Sequence, residues 1–283
     1  MTTTINSLKS YKTPLRYPGG KSRACKKMEP YIPDLRDYEV YYEPFLGGGS
    51  VALHITKKYP DLKIVVNDLY EPLYNFWIHL QLAGDVIQDK LVKIKKDNPN
   101  PDKAKELFLE SKDILSNGTD LNRAVAFYVI NKCSFSGLTE SSSFSSQASD
   151  SNFSMRGIEK LTRYMQLIKH WKITNVDYHH LLGDKEKTFI YLDPPYDIKD
   201  NLYGKNGSMH KKFDHDDFAK KCEIYNYEML ISYNSDQLVK DRFKNWNVSE
   251  FDLTYTMRSV GEYMRNQKTR KELLIFNYSI GIF

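Results

Sequence analysis

One segment constrains the fold of this chain more than any other: Glu43-Pro-Phe-Leu-Gly-Gly-Gly-Ser50, with an apolar run over residues 38–45 leading into it and a helical pattern over residues 50–58 behind it. A strand that runs into three glycines and reopens as a helix is a turn whose backbone can bend sharply and approach a ligand closely. The helix N-terminus then offers unpaired N–H groups to a polar or anionic group. The next apolar run, residues 63–68, ends in Asp68, 21 residues after Gly47. A carboxylate at the tip of the second strand can accept hydrogen bonds from both hydroxyls of a ribose. The segment is neither Gly-x-Gly-x-x-Gly nor a phosphate loop, because no Lys-Ser/Thr follows the glycines.

The alternation continues along the chain. Residues 171–177, 188–193, 228–233, 248–255 and 273–278 read as further strands, with helical patterns over 71–82 and 216–225. This predicts an α/β fold with a Rossmann-like sheet, mostly parallel, whose last two strands form an antiparallel hairpin at one edge. Residues 85–165 break the pattern: 91–95, 104–114, 121–131 and 158–170 read as helices with no strand between them. The expected organisation is therefore a core from 1–84 and 166–283, with 85–165 as a mainly helical insert. Within the insert, residues 134–154 hold 10 Ser in 21 positions, interspersed with Phe135, Phe144 and Phe153. This stretch reads either as a surface loop or as a binding hairpin that orders on a partner. Residues 198–215, rich in Gly, Asn and Lys, are a second candidate lid.

Charge and cysteine usage narrow the partners. A formal charge of +5 and a pI near 8.8 permit a nucleic-acid partner without requiring one. Three cysteines, at 25, 133 and 222, are too few and too scattered for a disulfide framework or a clustered zinc site. No run approaches the ~20 apolar residues of a membrane helix, and the first residues carry no apolar leader. The expected setting is a reducing, cytoplasmic compartment with no membrane association.

Two more constellations carry chemistry. Asp193-Pro-Pro-Tyr196 closes the run Thr-Phe-Ile-Tyr-Leu. Two prolines remove two backbone donors and stiffen the turn while their carbonyls remain as acceptors. The unit thus sets an acid, a fixed carbonyl and an aromatic face at the C-terminal end of a strand, where open α/β sheets place ligands. A planar amine could donate to Asp193 and to the Pro194 carbonyl, with its ring on Tyr196. Arg16-Tyr-Pro-Gly-Gly-Lys21, ahead of the first strand, is a turn that could fold over such a pocket. The adjacent His179 and His180 are expected on a strand, where neighbours face opposite ways, so no metal site is expected.

In this order and spacing, the three constellations resemble those of Dam-like (D12 class) DNA adenine-N6 methyltransferases, and the resemblance covers nearly the whole chain. It implies S-adenosyl-L-methionine as cofactor, S-adenosyl-L-homocysteine as product and no metal. By that likeness Tyr17, Lys21, Glu43, Phe45, Gly47, Gly48, Gly49 and Ser50 bind the cofactor, with Lys21 near its carboxylate and Phe45 and Gly47 to Gly49 around its methionine end. Asp68 holds the ribose, Asp177-Tyr178 the adenine, and Asp193, Pro194, Pro195 and Tyr196 form the catalytic unit, Asp193 also touching the cofactor. Asn131-Lys-Cys-Ser-Phe-Ser-Gly-Leu-Thr-Glu140 resembles the family's DNA-probing hairpin. The implied DNA contacts are Arg16, Lys132, Phe135 as a duplex wedge, Ser136, Leu138, Glu140 and Arg156. Glu140 stands where readers of GATC carry an Arg. A Glu prefers the cytosine N4 amine to guanine, so the expected target contains adenine but is not GATC. Double-stranded DNA is the implied partner, a cognate restriction endonuclease a candidate companion, and a monomer the expected state, with a dimer as alternative. The likeness implies a prokaryotic, phage or viral source. The residues themselves leave open methylation of cytosine N4 or RNA adenine, and non-catalytic nucleic-acid binding. A nicotinamide dehydrogenase is weakened by the missing Gly-x-Gly-x-x-Gly.

Overall fold

The computed structural model describes residues 12–17, 19–137, 142–181, 187–196, 213–253 and 270–280. Seven strands form its centre: β1 (Val40–Glu43), β2 (Lys63–Asn67), β3 (Lys172–Thr174), β4 (Thr188–Leu192), β5 (Glu228–Asn234), β6 (Asn247–Leu253) and β7 (Arg270–Phe276). They belong to one sheet in the order β3-β2-β1-β4-β5-β7-β6. The first five run parallel, and β7 pairs antiparallel with both β5 and β6. The expected fold class holds: a mostly parallel sheet with an antiparallel hairpin at one edge. β4 is buried at all five positions, which explains its unbroken apolar run: a central strand covered on both faces has no polar side to show.

Ten α-helices among the described residues surround the sheet: α1 (Cys25–Met28), α2 (Ser50–Lys58), α3 (Glu71–Asp97), α4 (Pro101–Asn117), α5 (Asp120–Cys133), α6 (Ser146–Ser151), α7 (Met155–Ile158), α8 (Leu161–Leu167), α9 (His215–Ile224) and α10 (Gln237–Arg242). The two helices expected over 71–82 and 91–95 are one, α3, bent at Ala83 (φ −148°, ψ 40°). The bend lies beside Gly84, where a Cβ would stand 2.8 Å from the Met165 Cβ. A small residue is what lets α3 cross α8 this closely. Trp77, Phe76, Phe127, Phe108 and Phe153 continue the apolar layer that begins on the sheet with Tyr41, Leu230 and Leu274. The helices of 85–165 thus share one core with one face of the sheet. A second cluster, including Ile190, Met229, Phe218 and Phe243, covers the other face.

The described parts of the serine-rich stretch are folded rather than looped. Ser134 bridges Phe144 in antiparallel fashion, and Phe153 is fully buried. The Ser145 and Ser154 side chains accept from Ala148 N and Gly157 N and cap α6 and α7, a role for which Ser is favoured. The helix expected over 158–170 is accordingly split, its first turn starting earlier at Met155. Residues 197–212, most of the second candidate lid, lie outside the described residues.

Candidate active site

The chain leaves β1 towards β2 and β3 on one side of the sheet and returns to β4 and β5 on the other. The order reverses between β1 and β4, so a crevice opens at the C-terminal ends of these two strands. The glycine turn follows β1 directly. Gly47 and Gly49 adopt positive φ (50° and 69°), and Gly49 caps α2 in the left-handed conformation. A Cβ on Gly47 would meet the Tyr17 ring at 2.9 Å, and one on Gly49 would meet Trp77 at 2.8 Å. The indole of Trp77 donates to the Gly47 carbonyl at 3.1 Å and pins the turn from below. Asp68 reaches over from the end of β2: it accepts from Gly47 N at 2.8 Å and from Tyr70 N at 2.9 Å. Burial pushes its carboxyl up to about 6, against the pull of those two backbone N–H groups.

At the tip of β1, Glu43 is buried and accepts the Tyr41 hydroxyl at 2.6 Å. Burial drives its carboxyl well above the usual range. Ser50 shares a 2.9 Å hydrogen bond with Ser22. At the tip of β4, the Asp193 carboxylate accepts from Lys21 Nζ at 2.9 and 3.0 Å and from the Ser232 hydroxyl at 2.8 Å. Tyr196 stacks on Tyr233, with ring centroids 5.8 Å apart. Asp177 and Tyr178 follow β3, where Tyr178 packs on Phe45 at 5.3 Å and on Phe213 at 5.8 Å.

These groups surround one cavity of about 490 Å³. Tyr17, Lys21, Glu43, Phe45, Gly47 to Ser50, Asp68, Asp177, Tyr178, Asp193 and Pro195 all line it. Pro194 and Tyr196 are buried immediately beside it. Lys21 is anchored on Asp193 and on the Gly19 carbonyl at 3.0 Å. His179 and His180 lie in a 3-10 turn (Tyr178–Leu181), not on a strand. There His179 bridges Asp177 and Asp217.

The hairpin side is assembled by a single amide. Asn131, at the end of α5, accepts from Arg16 N at 2.8 Å and donates to the carbonyls of Arg16 (2.6 Å) and Gly137 (3.0 Å). Gly137 has φ 72°, and a Cβ there would stand 2.7 Å from the Arg16 Cβ. The Arg16 guanidinium donates to the Ser134 carbonyl at 2.7 Å. Phe135 is 37 % exposed. Arg156 is exposed on α7, and Ser136 falls in the 3-10 turn Phe135–Gly137. Leu138 and Glu140 lie outside the described residues. Lys132 departs from the exposed phosphate contact expected of it. It is buried, its ammonium 5.2 Å from the Tyr128 ring centroid, and burial, helped by nearby Arg16, lowers its pKa to about 7. Its position on the inner side of α5 is a consequence of helix phase, which the hairpin resemblance does not encode. Ser232 and Glu272 are structural partners that no site motif flagged, and Asn131 heads the hairpin motif without a role that the motif assigns. The only trace of Glu272 in sequence is a carboxylate at the head of the apolar run 273–278.

Known proteins support the same identification. The family model of D12 class N6 adenine-specific DNA methyltransferases matches residues 17–257. The type II methyltransferase M.MjaIII of Methanocaldococcus jannaschii is 23 % identical over 93 % of this chain and 98 % of its own length. The type II methyltransferase M1.LlaDCHI of Lactococcus lactis subsp. cremoris is 20 % identical over 97 % and 99 %. The chain also aligns with 45 % of the modification methylase StsI of Streptococcus sanguinis, at 25 % identity over 99 % of its own length. With a family match that runs from the Tyr17 turn past the Asp193 tetrapeptide, this chain belongs to the D12 class N6 adenine-specific DNA methyltransferase family.

Proposed function

We propose that the protein transfers the methyl group of S-adenosyl-L-methionine to the N6 amine of an adenine flipped out of double-stranded DNA. The observation that carries this is the convergence of the glycine turn, Asp68 and the Asp193 carboxylate on one cavity at the strand-order reversal. The residues present fit the donor. Asp68 is a buried acceptor whose two backbone hydrogen bonds leave lone pairs for ribose hydroxyls. The turn beside it brings backbone within reach of the ligand, and Phe45 with Tyr178 offers apolar walls to a base. Bound, the donor supplies an electrophilic methyl on a sulfonium.

Everything else falls to the chain. The N6 lone pair is delocalised into the ring, so the amine is a weak nucleophile. Asp193 and the Pro194 carbonyl accept its two protons in hydrogen bonds and favour a pyramidal nitrogen with its lone pair free. Tyr196 stacks on the base, and the proton that the amine sheds leaves through Asp193. Alignment and preorganised acceptors then carry the reaction, with no covalent intermediate. The three cysteines are buried, and none lines the cavity. Extrusion costs a few kcal/mol, which stacking on Tyr196 and insertion of Phe135 offset. Residues 85–165 act as the target-recognition insert, and Arg16 and Arg156 as base and phosphate contacts. The type II naming of the relatives supports a companion endonuclease.

The test is incubation with labelled donor and duplex DNA, followed by nucleoside analysis of the product. N6-methyladenine is the expected product. N4-methylcytosine, or label in RNA alone, assigns the chemistry to another amine, and no transfer at all leaves a binding protein.

A further inference from the structure

Strand β7 reaches the Asp193 tetrapeptide through one of its described side chains, Glu272. Glu272 is 1 % exposed and stands opposite Asn234 of β5 in the sheet register. Its carboxylate reaches back towards β4, where it accepts the Tyr196 hydroxyl at 2.6 Å and lies 4.0 Å from Lys21 Nζ. Proton counting fixes the direction of each bond. A tyrosine hydroxyl has one proton; Tyr196 gives it to Glu272, so its oxygen receives a proton from Lys21 at 2.7 Å. The Lys21 ammonium, itself 2 % exposed, turns its other protons to Gly19 O and to Asp193. One buried cation is therefore shared by two carboxylates, and both ends of the catalytic tetrapeptide hang on it. Asp193 is held at its carboxylate. Tyr196 is held at its hydroxyl, with its ring 4.8 Å from the ammonium.

This arrangement bears on how strongly Lys21 grips Asp193. A buried ammonium with a single carboxylate partner would bind it fully, and a target amine would have to compete for both oxygens. A second carboxylate at 4.0 Å draws on the same charge and leaves the Asp193 pair weaker. We propose that Glu272 is a positioning residue for methyl transfer: it fixes the Tyr196 ring through its hydroxyl and holds part of the Lys21 charge, so that Asp193 keeps acceptor capacity for the target amine. The inference rests on the methyl-transfer reading above and adds to it a residue that does not line the cavity.

The experiment compares wild type with Glu272→Gln, Glu272→Asp and Tyr196→Phe. Glu272→Gln keeps shape and an acceptor for Tyr196 but removes the charge. Its kcat should fall by roughly 10- to 100-fold, the scale of a misplaced reacting group. KM for donor and DNA should stay within about threefold, as for a group acting only after binding. Donor affinity by calorimetry should match wild type. Glu272→Asp, which retains the charge, should recover part of kcat. Tyr196→Phe should lower kcat with KM unchanged, and the double variant should lose less than the product of the two single losses, since both act through one hydroxyl. A wild-type kcat in Glu272→Gln, a loss confined to KM, or strictly multiplicative losses would overturn the role. Should Glu272→Gln not fold, Tyr196→Phe decides alone: an unaltered kcat overturns the proposal. A wild-type protein that transfers no methyl to DNA sinks the functional reading and this inference together, whereas active wild type beside equally active Glu272→Gln sinks only the inference.

Discussion

The cavity at the tips of β1 and β4 and the hairpin at the end of α5 are built in opposite ways. In the cavity, carboxylates dominate and each is held: Asp68 by two backbone N–H groups, Glu43 by Tyr41, Asp193 by Lys21 and Ser232. In the hairpin two cations, Arg16 and Lys132, approach each other, and neither has a carboxylate partner among the described residues. The cavity's acceptors are held before a ligand arrives, whereas the hairpin leaves the half-buried Arg16 guanidinium with no carboxylate among the described residues to balance it. The largest test of the contrast is Asp193→Ala. Removing a preorganised acceptor at the reacting group should lower turnover by ~10²–10³-fold or more. The fold should survive, because Lys21 keeps Glu272, Tyr196 and Gly19 as neighbours. Turnover above a few per cent of wild type would show that the held carboxylate is not the working one.

Lys132→Met tests the other side of the contrast. Burial lowers Lys132 from 10.5 to about 7 in the fold. Below pH 7 the lysine is charged in both folded and unfolded chains, and the full cost of burying that charge is present. Between about 7 and 10.5 the unfolded chain binds more protons than the fold, so stability rises with pH. Above 10.5 the lysine is neutral in both states and the cost is gone. The Met variant should therefore exceed wild type by roughly 2–4 kcal/mol at pH 6, with the gap closing towards pH 10. Denaturant unfolding at pH 6, 8 and 10 reads this directly. A gap that ignores pH would mean a solvated Lys132 and would erase the contrast in charge.

The same two regions differ in how far sequence exposes them. The cavity was legible because its parts are short contiguous segments at strand ends, and a strand end is fixed once the alternation of strands and helices is read. Gly47 to Gly49 need no distant residue to announce a tight turn. The hairpin depends on pairs far apart in the chain: Asn131 meets Arg16 across 115 positions, and Gly137 is glycine because Arg16 lies against it. Lys132 was misplaced for the same reason, since which side of α5 faces the core is decided by Tyr128 and its neighbours rather than by the motif. Glu272 was invisible because a lone carboxylate heading a strand carries no pattern until Tyr196 comes to rest beside it. The bend at Ala83 was equally silent, for nothing local announces that Gly84 beside it will lie against Met165 on α8.

Asp68 gives a smaller and sharper measurement. Asp68→Ala should weaken donor binding by about 1–3 kcal/mol, the scale of hydrogen bonds to a charged group. Burial raises its carboxyl from 3.8 to about 6. Donor affinity should therefore fall as pH drops through about 6, where protonation removes an acceptor, and Asp68→Asn should flatten that limb. Calorimetry at pH 5, 6 and 7.5 checks both. An affinity that is unchanged in Asp68→Ala would remove this carboxylate from the site.

Arg156 carries the smallest expected effect and sets the scale for the hairpin. It lies exposed on α7, with no ion-pair partner among the described residues competing for its charge. A phosphate contact of that kind positions the duplex without reading it. Arg156→Ala should therefore weaken binding to all duplexes alike, and the slope of log affinity against log salt should shrink by about one. Arg16 makes the instructive comparison, because its guanidinium is half-buried and already donates to the Ser134 carbonyl. Held in a fixed direction, it is suited to a base edge, where loss of a bidentate contact costs about 1–3 kcal/mol at one position only. Binding of both variants to a panel of duplexes at several salt concentrations separates the two kinds of contact. A sequence-dependent loss in Arg156→Ala, or a uniform one in Arg16→Ala, would exchange their roles and show that burial in the hairpin does not mark the residue that reads DNA.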